Sequence, residues 1–441
     1  MKTNTWLAGV VLLGVGAGAQ AAARPLALQC GHWFDSLAGR MAGAATIIID
    51  GGKILRIEEG RSSPDGAEII DLSQLSCLPG LIDSHTHLSM QQSPTTYTDD
   101  FHWNIADFAV RSTVYARRTL LAGFTTVRNL GDRNDEVLAL RNAINAGELV
   151  GPRIFTAGRA IGSTGGHADP TNGYRQDLAG TPGPREGIID SPEQAALAVR
   201  EHYKRGDDLI KIMPSGGVLD PGLSGDNSQM TLEEVKAVVS TAHDYGFTVA
   251  AHAHGAEGIR RAVLAGVDSI EHGTLMNEED IRLMKERGTW YVPTISAGAF
   301  VAEKARTPGF FPPQVAAKAI AIGAQIAGTA GRAYKAGVKM AFGTDAGVYP
   351  HGRNAGEFVL MVQAGIPAAA ALQAATLNAA TLLRHEKEIG SLTPGKFADV
   401  VAVPGNPLED IHLMQQVRFV MKQGVTYLQD GQPTADRSAE N

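Results

Sequence analysis

The chain has 441 residues, of which 44% are hydrophobic and 19% are charged, a composition typical of a globular protein with a large core. Its formal net charge of −7 and its lack of a basic block argue against a nucleic-acid partner and against binding to an anionic membrane surface. The length suits one barrel-sized domain together with a smaller one.

Residues 1–23 have the features of a secretory signal peptide. Lys2 supplies the positive start, residues 6–15 are apolar, and Ala19 and Ala21 frame a small-residue cleavage site. The apolar run is too short to cross a bilayer of about 30 Å, so cleavage is expected instead of a membrane anchor. We therefore expect an exported protein, periplasmic or secreted, that leaves the membrane after cleavage.

The mature chain contains two cysteines, Cys30 and Cys77. In an oxidising compartment they could form a disulfide, and two buried free thiols fit the sequence equally well. Two thiols are too few for a tetrathiolate zinc site. Any metal must therefore bind through His, Asp, Glu or Lys side chains.

Both ends of the mature chain predict short β-strands. The predicted strands lie at residues 45–50, 53–58, 68–72, 398–403, 417–422 and 424–428. The turn signal Asp50-Gly51-Gly52 joins the first two. We expect the ends to meet as a small β-sandwich domain of residues 24–78 and 391–441, with residues 79–390 inserted between them.

The inserted segment alternates between strand and helix. Eight short apolar strands are predicted, at residues 80–84, 125–129, 153–157, 209–213, 248–252, 269–272, 291–294 and 339–343. Helices are predicted between most of them, for example at residues 104–121, 192–204, 232–245 and 256–265. The pattern indicates an α/β fold, a (β/α)8 TIM barrel. An open doubly wound sheet is the alternative, but it would carry a glycine-rich phosphate loop after its first strand, and none is present there.

Six polar residues stand at or near the ends of these predicted strands. They are His85, His87, Lys211, His252, His272 and Asp345. Active sites of TIM barrels are built at the carboxyl ends of the strands, so the six are expected to meet. His85 and His87 are two residues apart, which puts both imidazoles on one side of a strand. Paired imidazoles of this kind are half of a metal site.

At these residues the chain resembles the amidohydrolase superfamily, in its imidazolonepropionase-like and Xaa-Pro dipeptidase (prolidase-like) branch, which includes ochratoxin-type amidases. The resemblance extends from about residue 47 to residue 408. It includes the sequences PGLID at residues 79–83, GFTTVR at 123–128, GKFADV at 395–400 and NPL at 406–408. Asn129 stands where the family usually has Asp, outside the expected metal ligands.

The resemblance implies a site with two divalent metal ions, with Zn²⁺ as the expected metal. His85, His87 and Asp345 would hold one ion, and His252 and His272 the other. Lys211, carbamylated by CO2, would bridge the two ions together with a hydroxide. An uncompensated lysine in an apolar strand is costly to bury, and the carbamate would resolve that cost. Asp345 would also be catalytic, taking the proton of the hydroxide and passing it to the leaving amine.

The sequence His252-Ala253-His254 leaves an alternative open. If His254 were the ligand, His254 and Glu257 would form the HxxE pattern of a one-metal deaminase. The family match favours His252, because a bridging Lys211 has no purpose in a site with one metal. His254 is then expected to line the substrate pocket.

Two further residues are predicted to bind substrate. His167, in the sequence STGGH after the third strand, is assigned a pocket role by the resemblance. Arg353, beyond the eighth strand, could pair bidentately with a substrate carboxylate, and a solvated loop arginine is the alternative interpretation. Residues 215–230, rich in Gly, Ser and Asp, are predicted to be a mobile cover over the site.

We therefore predict a binuclear metal-dependent hydrolase that cleaves the amide bond of a dipeptide or N-acyl amino acid. A lactonase or a mononuclear deaminase of imidazolonepropionase type is the alternative enzyme, and a non-catalytic metal-binding barrel is a second alternative. The expected partner is a small-molecule or dipeptide substrate. A homo-oligomer is expected from the family resemblance.

Overall fold

The structure, a computed structural model, describes residues 24–434. The predicted signal peptide therefore lies outside the described residues. Within residues 24–434, no helix combines the length and apolar character needed to cross a membrane.

The described chain contains sixteen strands, most of them short. In chain order they are β1 (Leu26–Asp35), β2 (Arg40–Ala42), β3 (Ala45–Asp50), β4 (Lys53–Glu59), β5 (Glu68–Pro79), β6 (Leu81–Thr86), β7 (Phe124–Asn129), β8 (Arg153–Thr156), β9 (Ile210–Ile212), β10 (Val249–Ala253), β11 (Ser269–His272), β12 (Trp290–Val292), β13 (Val400–Pro404), β14 (Phe419–Lys422), β15 (Val425–Gln429) and β16 (Gln432–Pro433).

Helices lie between and beyond the central strands. They are α1 (Thr96–His102), α2 (Ile105–Leu121), α3 (Glu136–Asn145), α4 (Gln176–Ala179), α5 (Pro192–Arg205), α6 (Leu232–Asp244), α7 (Ala256–Ala265), α8 (Glu278–Arg287), α9 (Ile295–Lys304), α10 (Pro313–Ile322), α11 (Ile326–Ala336), α12 (Gly356–Gln363), α13 (Ala368–Gln373) and α14 (Ala379–Leu382). A π-helical segment, Ala374–Asn378, joins the last two.

The two chain ends meet in one nine-stranded sheet. Its order is β16-β15-β14-β13-β5-β1-β3-β4, with β2 paired to β1. The junction is β13 against β5, an antiparallel pair that joins the end of the chain to its beginning. β1, which the sequence analysis did not predict, lies between β5 and β3. Cys30 of β1 and Cys77 of β5 form a disulfide, so the open question of their pairing is answered.

The central strands form the barrel in two groups of parallel strands. One sheet contains β6, β7 and β8, and the other contains β9, β10, β11 and β12. The groups are joined by a hydrogen bond of 2.8 Å from the Asp208 amide to the Thr156 carbonyl, and by a bridge between Ile161 and Ile212.

The predicted eighth strand is an extended segment that pairs with both neighbours but forms a bridge only at Met340. On one side the Tyr291 amide of β12 donates to the Lys339 carbonyl at 2.8 Å. On the other side the Ser84 amide of β6 donates to the Phe342 carbonyl at 2.9 Å. This segment therefore closes the ring of strands, as a TIM barrel requires.

Helix α5 begins where its sequence predicts and ends within one residue of the predicted end. In α5, the Ser191 side chain accepts a hydrogen bond from the Gln194 amide, and Pro192 follows at the first helical position. Gly206 ends the helix with φ +91°, a left-handed conformation that favours glycine. After this helix end the chain enters β9, which contains Lys211.

Candidate metal centre

One cavity of about 200 Å³ lies at the carboxyl ends of the barrel strands. All six predicted metal ligands line it: His85, His87, Lys211, His252, His272 and Asp345. Five of the six side chains are buried and His87 is partly buried. Parallel strands end at the same face of a barrel, which is why residues up to 260 positions apart in sequence meet here.

Three of these residues form a compact ligand set. His85, His87 and Asp345 each offer one atom, and these atoms lie within 4.8 Å of one another. Oδ1 of Asp345 is 3.4 Å from Nε2 of His85 and 3.2 Å from Nε2 of His87. Ligand atoms spaced in this way can converge on one cation.

The chemistry of this set also fits a cation. His85 Nδ1 donates to Glu271 Oε2 at 2.9 Å, so its Nε2 carries a lone pair. Nε2 of His85 and Oδ1 of Asp345 are both buried without a hydrogen-bond partner. Two buried acceptors facing each other are unfavourable unless a positive ion lies between them. Burial, aided by the charge of Lys211, lowers the pKa of His85 to about 4, which keeps the imidazole in its ligating neutral form.

His252 and His272 lie beside this set. Their ring centroids are 4.7 Å apart, and the His272 ring is 4.9 Å from that of His85. His252 Nε2 donates to the Gly216 carbonyl at 3.1 Å, which leaves Nδ1 with the lone pair. Burial lowers the pKa values of both histidines well below the ordinary range, so both are neutral. Within residues 24–434, however, His85, His87 and Asp345 are the only group of three His, Cys, Asp or Glu residues whose ligand atoms lie within 4.8 Å of one another.

Lys211 is 1% exposed and lies between these groups in the cavity lining. Burial lowers its pKa to about 8, although the carboxylates of Glu271 and Asp345 act in the opposite direction. At neutral pH about a tenth of such amines are uncharged. An uncharged amine is the form that reacts with CO2, so the environment of Lys211 suits a carbamate.

Two of the predicted ligands have a left-handed backbone. The φ of His272 is +68° and that of Asp345 is +59°, values that non-glycine residues rarely adopt. Each conformation costs about 1–3 kcal/mol and persists only where the surroundings hold it. Here the Asp345 amide donates to the His85 carbonyl at 2.7 Å, and His272 Nδ1 is 2.7 Å from the Thr294 hydroxyl. The strain places both side chains over the cavity.

Glu271 supports the predicted ligand His85. It accepts hydrogen bonds from Arg128 at 2.8 Å, His85 at 2.9 Å and Ser269 at 2.5 Å. Burial alone would raise its pKa, but the positive charge of Arg128 and the His85 hydrogen bond lower it to about 2. Glu271 is therefore a carboxylate that sets the tautomer of His85. The sequence analysis did not assign it a role, although a charged residue in a strand buried on both faces was a visible signal.

Asp83 is a second support that the sequence analysis missed. Its Oδ2 accepts from the Thr344 hydroxyl at 2.6 Å and from the Asn354 amide at 2.7 Å. Its Oδ1 accepts from the His85 backbone amide at 3.1 Å. The carboxyl group thus ties β6 to the residue before Asp345, which holds the two halves of the ligand set in register.

The predicted substrate-binding residues separate into two groups. His167 and His254 line the cavity, and the His254 ring is 4.7 Å from that of His252. Arg353 does not: it is exposed and lines a different cleft, with Arg118 and Val417. Arg353 therefore lies outside the cavity lining, and its role as a carboxylate anchor stays a prediction. His351 and Asn354 are buried, whereas Gly352 and Arg353 between them are exposed, so this part of the loop faces solvent.

Glu257 also lies away from the cavity. Its carboxylate forms ion pairs with Arg260 at 2.8 Å and with Arg261 at 2.7 Å on the outside of α7. It is not among the residues that line the cavity. His254 Nδ1 is instead 2.8 Å from the Thr274 hydroxyl. Glu257 is therefore not placed to act as the proton shuttle that the HxxE interpretation requires.

The outer wall of the cavity is apolar. It is formed by α9, by the segment from α10 to α11, and by the loop of residues 215–230, through Val218, Leu219, Ala297, Val301, Ile322 and Ile326. The loop covers the site as predicted, while its mobility stays a prediction. α9 and α10 were not predicted, because their sequences contain few polar residues to mark an outer face.

Comparisons with known proteins agree with this geometry. The amidohydrolase family model matches residues 77–427. An ochratoxinase from Aspergillus niger is 34% identical over 361 residues, which cover 78% of this chain and 73% of that protein.

Two solved structures are similar over nearly the whole described chain. A Xaa-Pro dipeptidase with methionine bound in its active site is 49% identical, with a TM-score of 0.89, covering 92% of this chain and 100% of that one. A prolidase complexed with N-methylphosphonate-L-proline is 31% identical, with a TM-score of 0.83 and the same coverage. Together with the ligand set at the strand ends, these matches show that the chain belongs to the amidohydrolase family, as a hydrolase that acts on C–N bonds of the amide or peptide type.

Proposed function

We propose that this chain is a binuclear metal-dependent hydrolase that cleaves the amide bond of a dipeptide or N-acyl amino acid. The observation that carries the proposal is the pair of buried, partnerless acceptors, His85 Nε2 and Asp345 Oδ1, at the centre of the cavity. Zn²⁺ is the expected metal, because imidazole nitrogens dominate the ligand set.

The assignment of residues to the two ions is the one that the family resemblance implies, and the presence of all of them in the cavity lining supports it. His85, His87 and Asp345 would hold one, His252 and His272 the other, with carbamylated Lys211 between them. When bound, two such ions polarise a substrate carbonyl and lower the pKa of an attacking water towards about 7.

Asp345 is the proton carrier of this proposal. Burial would raise its pKa, but the nearby His85 and His87 rings and the Lys211 charge lower it, so the carboxylate is ionised at neutral pH. Its carboxylate, through the oxygen that does not face the ion, would take a proton from the attacking water and then deliver it to the leaving nitrogen. An amine is a poor leaving group unless protonated, so this transfer matters more for an amide than for an ester.

The apolar wall favours a particular kind of substrate. Val301, Ile322 and Ile326 would contact a side chain next to the cleaved bond and exclude water from it. Methionine in the active site of the similar dipeptidase, and the ochratoxinase name of the fungal relative, agree with an apolar residue there. Since Arg353 does not line the cavity, His167 becomes the first candidate for holding the substrate carboxylate.

Export and assembly complete the proposal. The disulfide between Cys30 and Cys77 supports an oxidising compartment, in line with the predicted signal peptide. We retain a homo-oligomer as the expected assembly, to be measured by light scattering.

The test is turnover by the mature chain, residues 24–441, loaded with zinc. The panel contains Xaa-Pro and Xaa-Phe dipeptides, N-acyl amino acids, and lactones as the comparison class. Release of a free amino acid, together with two zinc ions per chain by mass spectrometry, would support the proposal. Lactone hydrolysis without amide hydrolysis would overturn it, and one ion per chain would overturn the binuclear site.

A further inference from the structure

Lys318 of α10 is buried, although no part of the proposed chemistry uses it. Its Nζ donates hydrogen bonds of 2.8 Å to three carbonyls of the covering loop, those of Gly217, Asp220 and Gly222. An ammonium has three donors, so all three are used. Three charge-assisted bonds from one buried cation hold this part of the loop against α10.

Asp220 of the loop links Lys318 to His167, which lines the cavity. Asp220 Oδ1 is 3.4 Å from Lys318 Nζ, and Asp220 Oδ2 accepts from His167 Nδ1 at 2.5 Å. Burial would raise the pKa of Asp220, but the hydrogen bond and charge of His167 and the charge of Lys318 lower it to about 2. Asp220 is therefore ionised at working pH and orients the imidazole.

His167 also packs directly on the loop. A Cβ atom at Gly217 would lie 2.1 Å from the His167 ring, so glycine is required for the ring to lie there. The ring centroid is 4.5 Å from that of His252, and the ring lines the cavity. With Nδ1 bound to Asp220, Nε2 is the nitrogen left for a ligand.

We propose that Lys318 is a positioning residue, which fixes residues 217–222 so that Asp220 presents His167 Nε2 to the substrate. This inference rests on the proposed function for its substrate, and adds a residue outside the cavity lining that sets substrate affinity. Loss of the ammonium would free three carbonyls and one carboxylate, so the loop would relax and His167 would lose its orientation. The metal ligands of β6 and β11 would keep their own supports.

The first measurement is the steady-state kinetics of Lys318→Met, which keeps the length of the side chain but removes its charge. We expect KM for the best amide substrate to rise about tenfold, the effect of losing one oriented charge-assisted contact, with kcat within about threefold. His167→Ala should raise KM by a similar factor. The double variant Lys318→Met/His167→Ala should have a KM no higher than that of either single variant. Lys335→Met, an exposed lysine on α11, is the matched control and should leave both constants unchanged.

Two further readouts keep the inference falsifiable. If Lys318→Met does not fold, Asp220→Asn removes the charge that holds His167. It should show the same rise in KM and the same lack of additivity with His167→Ala. Hydrogen exchange of residues 215–230 needs no substrate, and must be faster in the Lys318→Met or Asp220→Asn variant than in the parent and in Lys335→Met.

The outcomes are distinguishable. If the increases in KM caused by Lys318→Met and His167→Ala multiply in the double variant, the role of Lys318 is overturned. Unchanged hydrogen exchange of residues 215–230 in Lys318→Met would overturn it as well. A parent that hydrolyses none of the amides would overturn the proposed function, and the exchange measurement would then decide whether Lys318 fixes the loop.

Discussion

Glu271→Gln tests whether the buried carboxylate that contacts the proposed ligand His85 supports metal binding as inferred. The substitution keeps the shape of the side chain and removes its charge. Arg128 is 2% exposed and would lose its ion partner, which leaves an uncompensated charge in the barrel interior. Breaking a buried pair in this way costs about 3–5 kcal/mol of unfolding free energy.

The same substitution should weaken metal binding. His85 Nδ1 donates to Glu271 at 2.9 Å, and a glutamine can offer its amide in place of the carboxylate oxygen. The tautomer of His85 would then no longer be set, and loss of such a support lowers metal affinity by about 10–100-fold. Urea unfolding measures the first effect, and zinc titration against a competing chelator measures the second.

The pH dependence of stability provides a further check. The pKa of Glu271 is lowered in the folded protein from 4.5 to about 2, so its ionisation stabilises the fold above pH 4.5. That contribution is lost as the pH falls from 4.5 towards 2. Glu271→Gln should therefore flatten the stability curve over this range.

Glu257→Gln is the matched control. Glu257 also pairs with arginines, but on the exposed surface of α7, where removal of a pair costs at most about 1 kcal/mol. It should change neither zinc affinity nor turnover. If Glu271→Gln is no more destabilising than Glu257→Gln, and binds zinc normally, the reasoning about the buried support is refuted.

Three other substitutions test the assignments within and near the cavity. Asp345→Asn should lower kcat by about 10²–10⁴-fold without changing the circular dichroism spectrum, and near-normal amide turnover would contradict its role as proton carrier. Lys211→Ala should reduce bound zinc from two ions per chain towards one by elemental analysis, whereas two ions in the variant would show that no bridging carbamate is needed. Arg353→Ala should leave KM within about twofold for free-acid substrates and for their C-terminal amides, because the side chain is remote from the cavity; a rise confined to the acids would restore it as the carboxylate anchor.

Much of the site could be predicted from the sequence because the barrel topology brings the ends of its strands to one face. Once His85, Lys211, His252 and His272 are placed on parallel strands, the fold brings their carboxyl ends to one face without any knowledge of side-chain packing. The alternation of strand and helix, with glycines such as Gly206 after the helices, was enough to locate those strands to within one or two residues in most cases.

The missed elements have weak local signals. β1 lies between two other strands and was overlooked, and α9 and α10 have too few polar residues to show an amphipathic period. The eighth strand was predicted as regular, but its segment forms a bridge to β12 only at Met340.

The sequence by itself determined which residues reach the catalytic face, since strand position is a local property and strand ends converge. The tertiary structure alone decided what each of those residues faces there. Arg353 points to solvent, Glu271 is bound to Arg128, and Lys318 reaches across to a loop about 100 residues earlier in the chain. Such contacts depend on packing between segments distant in sequence, and no local pattern of residue types specifies which distant partner a side chain meets.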